Sequence, residues 1–146
     1  MLGLDPGGPF LVPHRKDAAV IRKLESNFIN FELLRSWLRL CNEMHTTSCV
    51  AKGSPPVPFM KLIDCNTGTI VPATNHPYVT LSYRWGPSSG STEYLESLPK
   101  EVPSTIRDSI TVTRKLGFRY LWIDRYCINQ LIPDEVSAQI CKMDLI

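Results

Sequence analysis

Two short stretches of this chain hold most of the groups that could do chemistry. Ser82, Arg84, Trp85 and Gly86 make the first; Asp124, Arg125, Asn129 and Gln130, interleaved with Tyr126 and Cys127, make the second. An indole, guanidinium groups, a carboxylate and two carboxamides suit a planar, negatively charged ligand such as a dinucleotide. Trp85 would stack on it and Arg84 would pair with its charge. The same residues also have plainer uses. Trp85 and Trp122 can anchor a core, Asp124 can bridge to Arg84, and Asn129 and Gln130 can satisfy the backbone of their own turn. Cys127 invites a nucleophile reading, yet no histidine lies near it in sequence, and His76 precedes the neighbouring strand at the opposite end. A core thiol is the expected role.

The elements that must position these residues are legible. Tyr120-Leu121-Trp122-Ile123 is a short apolar run after Gly117, rich in aromatic and β-branched side chains, and reads as a strand buried on both faces. Tyr78 to Tyr83 alternates in the manner of a second strand. Between them, Ile106, Ile110, Thr113 and Leu116 share one helical face, with Arg107, Thr111 and Arg114 away from it. Thr105 through Asp108 fits a capping box, Arg114 and Lys115 suit the last turn, and Gly117 suits the stop. Strand, helix and strand make a parallel βαβ unit. With neighbouring strands, both polar stretches emerge at the carboxyl end of the sheet, where open α/β sheets bind ligands.

Upstream, Met1 to Pro13 reads as a loose, Gly- and Pro-rich lead-in, and Asp17 to Leu24 as a short helix. From Asn30, Phe31, Leu34, Leu38 and Cys41 form a stripe flanked by Leu33, Trp37, Leu40 and Met44. Glu32, Arg35, Arg39 and Glu43 lie opposite, which predicts an amphipathic helix with a wide buried face. Cys41, His45, Cys49 and Cys65 are weak zinc candidates. On one continuous helix the first three would span about 12 Å, too far for one ion, so packing and helix-end roles are expected and no metal is assigned. Residues 52–58 read as a linker. Lys61-Leu62-Ile63-Asp64 and Thr69-Ile70-Val71 around Cys65 to Gly68 predict a β-hairpin ended by Pro72. Pro87 to Pro103 is a long connection, and Pro133-Asp134 opens a further helix pattern that is cut off at Ile146.

Composition bounds the rest. A chain of 146 residues buries roughly two-thirds of its unfolded surface. A formal charge of +2 makes no demand for nucleic acid. No stretch approaches the ~20 apolar residues of a membrane span, and no signal peptide is visible. Five cysteines, an odd number in a chain of this length, point to reduced thiols and a cytoplasmic location.

Tyr78 to Gly86 (YVTLSYRWG) and Leu98 to Gln130, followed by Gln139, Met143 and Ile146, resemble the heterokaryon-incompatibility (HET) domain of filamentous fungi. WLRLCNEMHTTSC and KLIDCNTGTIV resemble the lead-in such proteins carry. The resemblance covers residues 28–146 and implies a tail at 1–27. A lead-in helix and hairpin at 28–77, a βαβ core at 78–130 and a cut-off helix at 133–146 follow. It implies an α/β fold, a small parallel βαβ core of TIR or flavodoxin type, incomplete, preceded by an amphipathic helix and a β-hairpin. The family pattern continues past Ile146, so a truncated domain is expected. No residue matches the TIR-type catalytic glutamate, and Glu135 is not nominated for it. The implied function is fungal non-self recognition leading to growth arrest or programmed cell death, through protein partners or self-association. The alternatives are a nucleotide-binding or NAD-hydrolysing domain using Ser82, Arg84, Trp85, Gly86, Asp124, Arg125, Asn129 and Gln130, and an inactive fragment. No cofactor is otherwise expected.

Overall fold

The computed structural model describes residues 10–11, 22–23, 27–45, 57–86 and 95–146. The chain divides into two compact units, Met1–Phe31 and Glu32–Ile146. In the first, β1 (Phe10–Leu11) pairs antiparallel with β2 (Arg22–Lys23). This corrects the expectation for the N-terminus: Phe10 and Leu11 are strand rather than loose lead-in, and Arg22 and Lys23 are extended rather than helical.

Helix α1 (Phe31–Met44) forms where its periodicity predicts, but none of its residues is buried. Trp37, Leu38, Leu40 and Met44 are 38% to 53% exposed. The expected buried face is therefore absent, because no described element packs along the stripe. Arg35 ties the helix down instead: its guanidinium pairs with Glu32 and donates to the main-chain oxygen of Lys115, at the end of a later helix. A cation at that position satisfies a terminal carbonyl and suits the helix dipole.

The second unit is built on a four-stranded mixed sheet. Strands β3 (Lys61–Asp64) and β4 (Ile70–Pro72) make the predicted hairpin, closed at Gly68 with φ of 76°. β5 (Tyr78–Leu81) is two residues shorter than its alternating pattern. Helix α2 (Ser104–Leu116) then leads to β6 (Tyr120–Ile123). The order is β4-β3-β6-β5, with β5 and β6 parallel and β3 antiparallel to β6. The βαβ unit is thus present with neighbouring strands, and the hairpin extends its sheet rather than standing apart.

Helix α2 starts one residue earlier than the capping pattern predicts. Pro103 occupies the cap position with φ of −51°, and no side-chain hydrogen bond caps the helix. The proline's fixed φ does that local work, and its carbonyl accepts the N–H groups of Ile106 and Arg107 at 3.0 and 3.1 Å. Gly117 ends the helix as predicted, at φ of 94° in the left-handed region.

The core centres on β6. Leu121, Trp122 and Ile123 are buried beside Leu62, Ile63 and Ile106. Leu121 faces α2 together with Val79 and Leu81; Trp122 alternates to the other face. On that face Tyr78 donates its hydroxyl to the main-chain oxygen of Ile146 at 3.0 Å, so the C-terminal segment lies there. The segment comprises α3 (Asp124–Cys127), α4 (Pro133–Ile140) and a closing 3₁₀ turn at Met143–Leu145. Lys61 and Glu135 pair at 3.3 Å, both largely buried, and join β3 to α4.

One turn departs from its residue's preference. Phe59 has φ of 59° although it is exposed and not glycine. The Met60 N–H donates to Val57 at 3.4 Å across the turn, and Gln139 Nε2 donates to the Phe59 carbonyl at 3.4 Å. A left-handed conformation costs an L residue about 1 kcal/mol or more. Phe59→Gly is expected to raise the unfolding free energy by about 1 kcal/mol, read as a higher urea midpoint. A lower midpoint would mean that the phenyl ring makes contacts worth more than the strain.

Candidate functional site

The carboxyl ends of β5 and β6 lie side by side, with Leu81 in register with Ile123. The chain leaves β6 directly into α3, a single helical turn beginning at Asp124. That turn places Asp124 under the stretch following β5, and the contact it makes is specific. Trp85 Nε1 donates to Asp124 Oδ1 at 3.0 Å. The same oxygen accepts the main-chain N–H of Arg125 at 2.7 Å, and the Arg125 guanidinium carbon stands 5.8 Å from the centre of the Trp85 ring. Indole, carboxylate and guanidinium thus form one cluster bridging the two polar stretches.

The expected Asp124–Arg84 bridge is not formed. Asp124 takes Trp85, and Arg84 is exposed. In extended chain, adjacent side chains point to opposite sides, so a backbone that sends Trp85 towards Asp124 sends Arg84 away. Ser82 and Gly86 are also exposed, and a Cβ at Gly86 would meet open space. Gln130 Nε2 donates to the carbonyls of Asp124 and Ile128 at 3.3 and 3.4 Å, and Asn129 Oδ1 accepts the Leu131 N–H at 3.1 Å. Both amides therefore hold the local backbone in place. The structure brings together Trp85, Asp124, Arg125 and Gln130; Asn129 serves its own turn, and Ser82, Arg84 and Gly86 border the cluster without a described contact to it.

The rim is an open surface. A cavity of about 240 Å³ lies at the other end of the sheet, lined by His76, Pro77, Gly117, Phe118, Arg119 and Tyr120. There His76 stacks on Tyr120 at 5.4 Å. A second, of about 430 Å³, runs between β5 and α2.

The cysteines separate cleanly. Cys127 is fully buried; its sulfur accepts the Ile123 N–H at 3.3 Å, and burial pushes its thiol up to about 12. Cys65 is buried too and is pushed up to about 11, chiefly by loss of solvent. Cys41 is half-buried, Cys141 is exposed, and Cys49 lies outside the described residues. Among the described residues no three His, Cys, Asp or Glu side chains are grouped to hold a metal ion. On brief treatment of the native protein with a maleimide, Cys141 is expected to be modified while Cys65 and Cys127 stay protected, as mapped by mass spectrometry. Rapid labelling of Cys127 would overturn its role as a core thiol.

One contact was not foreseen from sequence. Asp64, buried at the end of β3, accepts Arg119 Nε and Nη2 on Oδ2 at 3.1 and 2.7 Å, and its Oδ1 accepts the Asn66 N–H at 2.9 Å. The Arg119 guanidinium beside it holds the Asp64 carboxyl below the usual range. The local signal was Asp64 standing two residues before Asn66 at a hairpin turn, a common position for an acid that binds its own backbone. Nothing local pointed to Arg119.

The fold and rim define a mixed α/β domain with its polar residues gathered at the ends of two parallel strands. Residues 78–146, which contain β5, α2, β6 and the rim, match the family described as Heterokaryon incompatibility protein (HET). Over that span the chain belongs to the heterokaryon-incompatibility family. No curated protein and no solved structure is similar enough to match. Among the described residues no helix is long and apolar enough to cross a membrane.

Proposed function

We propose that this chain is a module of fungal non-self recognition that acts in the cytoplasm. It signals programmed cell death by protein–protein assembly, with the helix and hairpin at residues 28–77 leading into the HET-family core. The observation that carries the reading is the family match over residues 78–146, whose two polar stretches meet in the Trp85–Asp124 hydrogen bond. Trp85 is 40% exposed yet held at its Nε1, so it offers apolar area with little rotamer freedom left to lose. Fixed, partly exposed aromatics of this kind are common anchors of protein interfaces.

The nucleotide reading has less support. Arg125 already lies over the Trp85 ring, where a base would stack, and the rim has no enclosing wall. Most small-molecule sites are concave and bury the greater part of their ligand.

Induced expression in a filamentous fungus, scored by a vital dye, tests the assignment. The chain is expected to kill cells, and Trp85→Ala to reduce killing by about tenfold or more with an unchanged melting temperature, as for loss of an interface anchor. Killing that tracks consumption of cellular NAD would move the assignment to the nucleotide reading. Absence of killing at good expression would favour an inactive fragment.

A further inference from the structure

The two edges of the sheet are treated differently. At the β4 edge, Ile70 donates its N–H to Glu96 and Leu98 donates to Gly68, both at 2.8 Å. Thr69 and Ser97 form an isolated antiparallel bridge there, and Pro72 removes a donor at the strand's end. That edge is covered and blocked. The β5 edge has none of the usual defences: Tyr78-Val79-Thr80-Leu81 contains no proline, charge or bulge, and among the described residues no strand pairs with its outer side.

Beside this open edge runs the 430 Å³ groove. Its floor and inner wall are Val79, Leu81 and Leu121; Thr80 also lines it, which sets it along the strand rather than above one side chain. The far wall is α2, which presents Thr105, Asp108, Ser109 and Val112, spaced i, i+3, i+4 and i+7 on one helical face. Ser109 spends its hydroxyl proton on the Ile106 carbonyl at 2.7 Å. Asp108 is the one charged residue among the described lining, it is exposed, and no described cation pairs with it.

We propose that this groove is a binding site for an extended peptide segment of a partner protein, added as a further strand along β5. The segment carries alternate apolar side chains that enter between β5 and α2, and a lysine or arginine that meets Asp108. Main-chain hydrogen bonds to an open edge give such a mode its affinity, and pockets for alternate side chains give it selectivity. The apolar floor fits the first requirement of the sequence, and the single carboxylate on the helical wall fits the second. The site is separate from the Trp85 rim and stands whether or not the chain signals death.

The test uses the whole chain and a short fluorescein-labelled peptide of alternating valine and threonine with one central lysine, read by fluorescence polarisation. Saturable binding in the micromolar range is expected. N-methylation of alternate peptide amides, or lysine to glutamate in the peptide, is expected to weaken it about tenfold, the scale of one lost charged or main-chain contact set. Asp108→Lys, an exposed change that leaves the core untouched, is expected to reverse the preference so that the glutamate peptide binds better. Equal binding of the N-methylated peptide, an unchanged preference in Asp108→Lys, or no binding at millimolar peptide would each overturn the proposal. So would sedimentation showing that a second copy of the chain occupies the β5 edge and excludes the peptide.

Discussion

Replacing Asp64 by asparagine is expected to lower the unfolding free energy by about 2 kcal/mol at neutral pH, the scale of losing hydrogen bonds to a charged group. The argument rests on where the carboxylate sits. It closes the end of β3, holds the hairpin turn through the Asn66 N–H, and binds Arg119, one residue before β6 begins. The Cys65 N–H donates to the Arg119 carbonyl at 2.9 Å, so side chain and main chain secure the same junction. This is the seam joining the hairpin to the βαβ unit. Asparagine keeps one acceptor but loses the charge that draws the guanidinium.

The same geometry fixes the pH dependence. Arg119 lowers the Asp64 carboxyl in the folded state, so its contribution is fully present above the unfolded carboxylate value of about 4. It fades as pH falls through the lower folded value. The difference between wild type and Asp64→Asn, measured by urea melts, is therefore expected to be largest near neutrality and to shrink towards zero in acid. A difference that stays constant down to strongly acidic pH would show that Asp64 acts by shape rather than by charge. Arg119→Gln is expected to destabilise in the same direction.

Local pattern carried the elements of this fold well and their pairings less well. β6, α2 and the hairpin were legible because each announces itself within a few residues: the apolar run after Gly117, the face containing Ile106 and Thr113, and the loop from Cys65 to Gly68. The antiparallel junction of β3 to β6 was not, since hydrophobic period does not say which strand a hairpin will join. Asp64 and Arg119, 55 positions apart, belong to that junction and were missed with it. At the rim the right residues were singled out and the wrong pair was chosen. Side-chain direction past the end of β5 decides between Arg84 and Trp85, and charge alone suggested the former. The stripe on α1 shows the opposite failure. Its periodicity correctly predicts a helix, but an apolar face guarantees burial only where another surface meets it.

The two tryptophans that sequence treats alike part company in the fold, and Trp122 supplies the largest expected change in stability. It is 4% exposed on the central strand, in the cluster that holds Leu62 and Ile123. Trp122→Ala is expected to cost about 4 kcal/mol through lost burial and the cavity left behind. Against a total of about 5–15 kcal/mol for a domain of this kind, that would leave much of the protein unfolded at 37 °C. Trp122→Phe should behave differently. The indole Nε1 is buried without a hydrogen-bond partner among the described residues, so tryptophan here bears the desolvation cost of an unpaired donor, about 1–3 kcal/mol. Phenylalanine gives up part of the ring's contact area and removes that donor. The opposing effects are similar in size, and a net change within about 1 kcal/mol is expected from urea denaturation. A loss as large as that of the alanine variant would show that the N–H is satisfied in solution, by water or by a bound segment, and that this face of the sheet is less dry than its burial implies.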